Sequence, residues 1–242
     1  MRRWLPLLAL ALLAAAPPKD FDPTGTWMLE LDIVTDATVP VLGDSAVLSH
    51  RTNIATIRRL DGRWLQHHTT CDVTAITERA IAVPIIPDSF VKTLPDKTYV
   101  LQIEEVDGQL RYAADLQIEV SGYDGSEPLP IPIDAADPRV FDHDEDGHPG
   151  VTVGVRAPLF GEVDVYITQL AHTWLRGVVE TADLIEGKAD VQLLEQEIIG
   201  AENVLFIRKT NLRVNQERSS FTMTRIADGA TCADLEDQLR GE

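Results

Sequence analysis

Residues 98–120 read TYVLQIEEVDGQLRYAADLQIEV. Two runs of alternating apolar and polar residues flank Asp107-Gly108, and Asp-Gly between such runs is the strongest short-range signal for a β-hairpin. The pairing can be checked against itself. A two-residue turn sets Val106 opposite Gln109, Ile103 opposite Tyr112, Leu101 opposite Ala114 and Tyr99 opposite Leu116. The other face then pairs Glu104 with Arg111. Apolar groups meet apolar groups and opposite charges meet, as cross-strand neighbours require. The segment sets the class: an antiparallel sheet built from hairpins.

Neighbouring stretches extend the pattern. TNIATIRRL and RWLQHHTTC flank Asp61-Gly62, a register that sets Arg59 opposite Trp64 and Thr56 opposite His67. Both faces of that hairpin are mixed, which suits either a barrel with a partly polar lumen or a peripheral hairpin. His50, His67 and His68 then face solvent or a lumen, opposite Val73, Thr56 and Ala55, and form no metal cluster by themselves. Arg59 over Trp64 makes a cation–π pair, worth about 0.5–1 kcal/mol when exposed. GTWMLELDIV places Trp27, Leu29, Leu31 and Ile33 on one strand face. EVDVYITQLA, TWLRGVVETA, KADVQLLEQEI, NVLFIRKT and SSFTMTRIA continue the series. Glu186-Gly187 predicts another turn, and LLEQEIIG by propensity could open a helix instead.

Two stretches interrupt the strands. The proline-framed residues 82–97, around Phe90 and Val91, suit a lid or short helix over an opening, and residues 121–141 form a proline-rich acidic connection. At the end, Thr231 and Asp234 resemble a helix cap. Cys232, Leu235 and Leu239 share one face of the short helix that follows. The expected fold is all-β: an antiparallel meander of the barrel type with a short C-terminal helix.

The 242 residues suit one such domain. Residues 1–16 carry Arg2 and Arg3, an apolar run from Leu5 to Leu13 and Ala14-Ala15-Ala16, the pattern of a secretory signal peptide. The expected organisation is therefore a leader over 1–16 and a single β domain over 17–242, exported to a bacterial periplasm or the extracellular space. The run is too short to span a bilayer, and no later stretch approaches transmembrane length. Losing the leader takes the formal charge from −18 to −20. Such acidity repels nucleic acid and anionic membranes and favours cations. Cys71 and Cys232 are the two cysteines, and an even count in an oxidising compartment predicts one disulfide. Docking the helix on the sheet would bring Cys232 to Cys71.

Residues 142–153, DHDEDGHPGVTV, are the most chemically specific stretch. Asp142, Asp144 and Asp146 offer hard oxygens at alternate positions, Gly147 permits a tight wrap, and His148 could add its carbonyl, a set suited to Ca²⁺. Val153 stands where a helix–loop–helix calcium site needs its bidentate acid. The stretch resembles the Asp-rich D-x-D-x-D-G loops of integrin-type propeller repeats, which bind calcium and lead into a strand. It departs from them in having Gly150 at the fourth acidic position and only one copy. Asp134, Asp137, Glu162 and Asp164 are the nearest acids that could complete the shell.

Gly43-Asp44-Ser45 is similar to the nucleophile block of GDSL-type esterases, and Glu145 to Pro149 echoes that family's late D-x-x-H-P block, with His148 as base. Glu145 stands where the family has Asp, the oxyanion block is missing, and the residues after Ser45 read as strand rather than helix. The favoured reading assigns no catalytic residue.

Gly25-Thr26-Trp27 at the first strand resembles the G-x-W start of the lipocalins, in which the tryptophan closes the barrel base. A late arginine of that family corresponds to Arg208 or Arg225 here. The resemblance implies a cavity for a small apolar ligand, with Trp27, Leu29, Leu31, Tyr99, Leu101 and Tyr112 as its expected lining. The expected function is an exported, calcium-stabilised, monomeric binding protein. A calcium-dependent envelope or adhesion module, with a filled core, and a GDSL-like esterase are the alternatives.

Overall fold

A computed structural model describes residues 21–39, 43–79, 82–158, 160–207 and 211–239. The predicted leader lies outside the described residues. The strands are β1 (Gly25–Val39), β2 (Gly43–Leu60), β3 (Arg63–Thr77), β4 (Val83–Ile85), β5 (Lys97–Val106), β6 (Gln109–Ser121), β7 (Val151–Ala157), β8 (Gly161–Thr181), β9 (Leu184–Ala201), β10 (Asn211–Val214) and β11 (Ser220–Arg225). Helix α1 (Asp88–Thr93) follows β4, and α2 (Cys232–Leu239) follows β11. All strand pairings are antiparallel. In the order β1, β2, β3, β5, β6, β8, β9, β11 each strand pairs with the next, and β11 returns to β1. The chain is an all-β meander that closes a ring of eight strands, with a short helix at its C-terminal end.

Both Asp-Gly hairpins form as their sequences predict. Asp61 and Gly62 take φ of 48° and 77°, and Asp107 and Gly108 take 53° and 76°, the left-handed pair that matches strand twist. Arg59 faces Trp64 and Thr56 faces His67, with the Arg59 guanidinium 5.2 Å from the indole centroid. Ile103 faces Tyr112 and Glu104 faces Arg111. The β5–β6 pairing runs out at Leu101–Ala114, short of the predicted Tyr99–Leu116 pair, and on its other side Tyr99 pairs with Gln66 of β3. A bulge near Thr52 also moves His50 from Val73 to Thr74.

Two further expectations are corrected. The turn between β8 and β9 falls at Ala182-Asp183, and Gly187 lies inside β9 opposite Gly177 of β8. These glycines are there for space. A Cβ on Gly187 would lie 2.2 Å from the Arg176 carbonyl oxygen and 2.7 Å from the Phe221 ring. The Tyr112 and Phe221 rings approach to 5.6 Å in the room so left. LLEQEIIG is strand throughout, because its pairing with β8 overrides helix propensity.

The ring has two tiers. In the lower one Trp27, Leu29, Leu101, Tyr112, Leu175 and Phe221 belong to one filled core. Arg225 caps its base with its guanidinium 4.3 Å from the Trp27 centroid, donating to the carbonyls of Asp22 and Thr24, while the indole N–H donates to Pro23. In the upper tier β7 takes over from β6 alongside the first half of β8. β4 pairs outside β7, and β10 pairs with the end of β1. No helix among the described residues is long and apolar enough to cross a membrane.

Cys71 is the extra residue of the β2–β3 bulge, where Thr70 pairs with Asn53 and Asp72 with Thr52. It forms the disulfide with Cys232, 161 residues away. Helix α2 is held on the ring by buried Leu235, and Asp234 accepts from the amide and hydroxyl of Thr231 as the predicted cap. Leu239's side chain lies outside the described residues. Closing so long a loop contributes roughly 4–5 kcal/mol in the chain-entropy treatment. The double variant Cys71→Ala/Cys232→Ala should lose stability of that order, read as a lower urea midpoint against the oxidised protein.

Candidate binding cavity and acidic loop

The upper tier encloses a cavity of about 510 Å³. Inward side chains of β2, β3, β7 and β8 form an aliphatic wall that includes Val47, Val73, Val151, Val153, Val165 and Ile167. Ala75 and Ala171 on the same faces are short, so opposite walls do not meet across the lumen. Phe90 and Leu94, from α1 and its end, line one side of the mouth, so the proline-framed segment does form a short helix at an opening. Phe160 and Phe206 line another side, ring to ring at 5.5 Å. The cavity sits one tier above its predicted position. Of the expected lining residues, Leu31 faces it, whereas Trp27, Leu29, Tyr99, Leu101 and Tyr112 pack in the filled core below. Those five pack there with Phe221, whose ring lies 5.6 Å from that of Tyr112.

A polar layer separates the tiers. Glu119 carboxylate oxygens accept from Arg51 at 3.1 Å, Lys97 at 3.2 Å and the Tyr99 hydroxyl at 3.0 Å. Below them Tyr112 donates to Gln66 at 2.6 Å, and Gln66 is hydrogen-bonded in turn to His68. Glu119 faces inward because β6 carries an irregularity between Asp115 and Ile118, with Gln117 at φ 57° and its amide bonded to Asp115. Burial pushes the Glu119 carboxyl up, but Arg51, Lys97 and its hydrogen bonds outweigh that and hold it at about 2. Burial, aided by the positive charge of Arg51, lowers His68 to about 3. Burial raises Tyr99 and Tyr112 above the ordinary phenol range.

This layer escapes a motif search. Strict alternation would send Glu119 outward, and only the bulge reverses it. Arg51 could be read from parity, since it shares it with Ala55 and Ile57, which pack in the filled core. The other histidines lie apart. His67 meets Thr98 and Asp96, while His50 meets Asp32 at 2.6 Å and Thr52 at 3.3 Å. The Thr52–His50–Asp32 line looks triad-like, yet Thr52 is only 1% exposed, which leaves a substrate no approach. Ser45 donates to the carbonyl of Ala46 at 3.4 Å, and His148 stacks on Tyr166 at 4.5 Å.

The acidic loop precedes β7. Carboxylate oxygens of Asp142, Asp144 and Asp146 lie within 4.8 Å of one another. Asp142 accepts from the amides of Asp146 and Gly147, and Asp146 from that of His148, so the backbone wraps the first carboxylate. Glu145 and Gly147 take the positive φ this needs, 58° and 93°. Asp144 is only 5% exposed. Its Oδ2 accepts from the Thr152 amide at 3.1 Å, and its buried Oδ1 has no hydrogen-bond partner among the described residues. Burial raises its carboxyl, and the charges of Asp146 and Asp142 add to the shift.

A buried, unpartnered carboxylate oxygen beside two further carboxylates is the arrangement that a hard cation satisfies, so the donor set fits Ca²⁺. Of the acids expected to complete the shell, Asp137 is bound by Arg139, Asp134 caps the Ala136 amide and Glu162 pairs with Arg156. Asp164 remains: burial raises it first, then Glu202, Glu162 and Asp146. His148 contributes no ring nitrogen to the cluster of three.

The loop also bears on the cavity. The Thr152 amide held by Asp144 lies between Val151 and Val153 of the wall, and the His143 ring meets Phe90 edge-on at 5.7 Å.

Comparison with protein-family models, curated proteins and solved structures returns no match.

Calcium at a hundred times its dissociation constant would stabilise the fold by ~2.7 kcal/mol. Unfolding monitored with millimolar calcium and with chelator should show a rise of roughly 5–10 °C in midpoint, given ~2–4 °C per kcal/mol at this size. Asp144→Ala should remove the difference. For His68, whose folded value is depressed, the unfolded chain binds the extra proton below about 6.5. Its contribution is therefore complete above that pH and is lost as pH falls from about 6.5 toward 3, by on the order of 1 kcal/mol per unit. Denaturant titrations at pH 7 and pH 5 should show a smaller loss for His68→Gln than for the unaltered protein.

Proposed function

We propose that the protein is an exported binding protein that holds one small, largely apolar ligand in the upper tier, with the acidic loop binding calcium to fix the adjoining wall. The cavity carries this reading. Its volume lies within the roughly 300–1,000 Å³ of small-molecule sites, and an aliphatic wall with few polar groups is their usual make-up. The meander order and the Arg225–Trp27 stack at the base support the lipocalin resemblance; the other candidate arginine, Arg208, lies outside the described residues. The disulfide is consistent with an oxidising compartment. An adhesion module with a filled core has no use for such a space, so the binding reading is preferred.

Ala171 lines the cavity from β8, opposite Glu119 of β6, and Ala171→Trp would take up its space from the floor. An environment-sensitive apolar dye should bind the unaltered protein at one site. Its affinity for Ala171→Trp should fall at least tenfold, with the thermal midpoint nearly unchanged. Equal binding to both proteins would place the dye outside the cavity and remove the basis of the proposal.

A further inference from the structure

The cavity floor is not apolar, and its hydrogen-bond inventory is lopsided. Arg51 and Glu119 are the two charged side chains among the described lining residues, and Lys97 reaches the same carboxylate from the start of β5. Glu119 already accepts three hydrogen bonds, one each from Arg51, Lys97 and Tyr99. A carboxylate offers about four lone-pair positions, so little acceptor capacity is left. The donors are in surplus. A guanidinium carries five N–H groups and an ammonium three, while the single Tyr99 hydroxyl proton is spent on Glu119. Charge runs the same way: two cations face one carboxylate. His68 next to them is neutral, Gln169 and Thr173 on β8 and Gln196 on β9 are uncharged, and Leu31 and Ile33 on β1 are apolar.

We propose that the Arg51–Glu119–Lys97 floor is a head-group subsite for an amphipathic monoanion, a long-chain carboxylate being the simplest, which enters tail-outward and places its anionic end on Arg51. The inference rests on the cavity reading above and narrows it from an apolar ligand to one with an anionic end. Glu119 has a positioning role: it fixes the Arg51 fork and is too fully engaged to recruit a cationic ligand. A ligand carboxylate supplies the missing acceptor and the missing negative charge together, and guanidinium–carboxylate pairing is favoured in geometry as well as in charge. An alcohol of equal length supplies the acceptor without the charge. An amine adds a donor and a third cation to a floor with too many of both.

Titration calorimetry of the full chain with decanoate, decanol and decylamine, each below its aggregation concentration, tests this. Decanoate should bind at least tenfold more tightly than decanol, and decylamine most weakly. In Arg51→Gln/Glu119→Gln, which removes one charge of each sign, the acid should lose its advantage over the alcohol while the alcohol still binds. Arg51→Gln alone leaves a buried carboxylate short of a partner, so the double variant guards against loss of folding. If decanol matches decanoate, or decylamine binds tightest, the head-group subsite is overturned and the cavity stands. If none of the three binds, the cavity reading fails and the subsite with it.

Discussion

Everything in this molecule hangs on the pairing of its first strand with its last. Without β11, β1 and β9 would both be open edges, and long open edges are a liability that sheets must cover. With β11 in place the sheet has an inside. Arg225, the final residue of β11, then lies over Trp27 near the start of β1 and gathers the carbonyls of Asp22 and Thr24, so one side chain locks the seam and plugs the base. The rest of the chain can be irregular because that seam is not.

Given a closed ring, side-chain size decides what each tier becomes. At the base, aromatic rings from facing strands touch, and the paired glycines Gly177 and Gly187 lie where a Cβ would collide with the sheet backbone and Phe221. Higher up, β7 replaces β6 beside β8, and valines and alanines replace the rings, so the walls stay apart. The layer between is built from groups that the tiers would otherwise strand. Glu119 is tolerable there because it is matched by Arg51, Lys97 and Tyr99, and a buried charge without such partners would be prohibitive. The acidic loop braces the same wall from outside through Thr152.

The hairpins were legible because turn chemistry marked both Asp61-Gly62 and Asp107-Gly108, and at the second alternation and charge pairing agreed with it. The disulfide and the cap at Thr231 were legible too, each from chemistry with few local alternatives. What resisted reading was register beyond the turn. A single irregularity near Gln117 reversed the direction of Glu119, and another at Cys71 displaced His50 by one position. Neither leaves a signature in residue type. Gly187 misled for a related reason: a glycine that makes room for a ring has the same letter as one that makes a turn. The cavity was placed too low because inward parity alone does not say how far the opposite wall stands.

The seam has a temporal side as well. Trp27 and Arg225 are neighbours in the sheet yet nearly the whole chain apart in sequence, and the Cys71–Cys232 link spans much of the same distance. Contacts of such separation make folding slow, because chain ordering must precede the interactions that reward it. Seven strands of the ring can form in succession, each close to its neighbour in time, but the structure cannot shut until its C-terminal residues arrive. During that interval β1 waits with an unpaired edge and an exposed tryptophan, a state prone to intermolecular pairing. Helix α2, held by its disulfide just beyond the closing strand, makes the last event hard to undo: once Cys232 has joined Cys71, β11 can leave β1 without diffusing away from it.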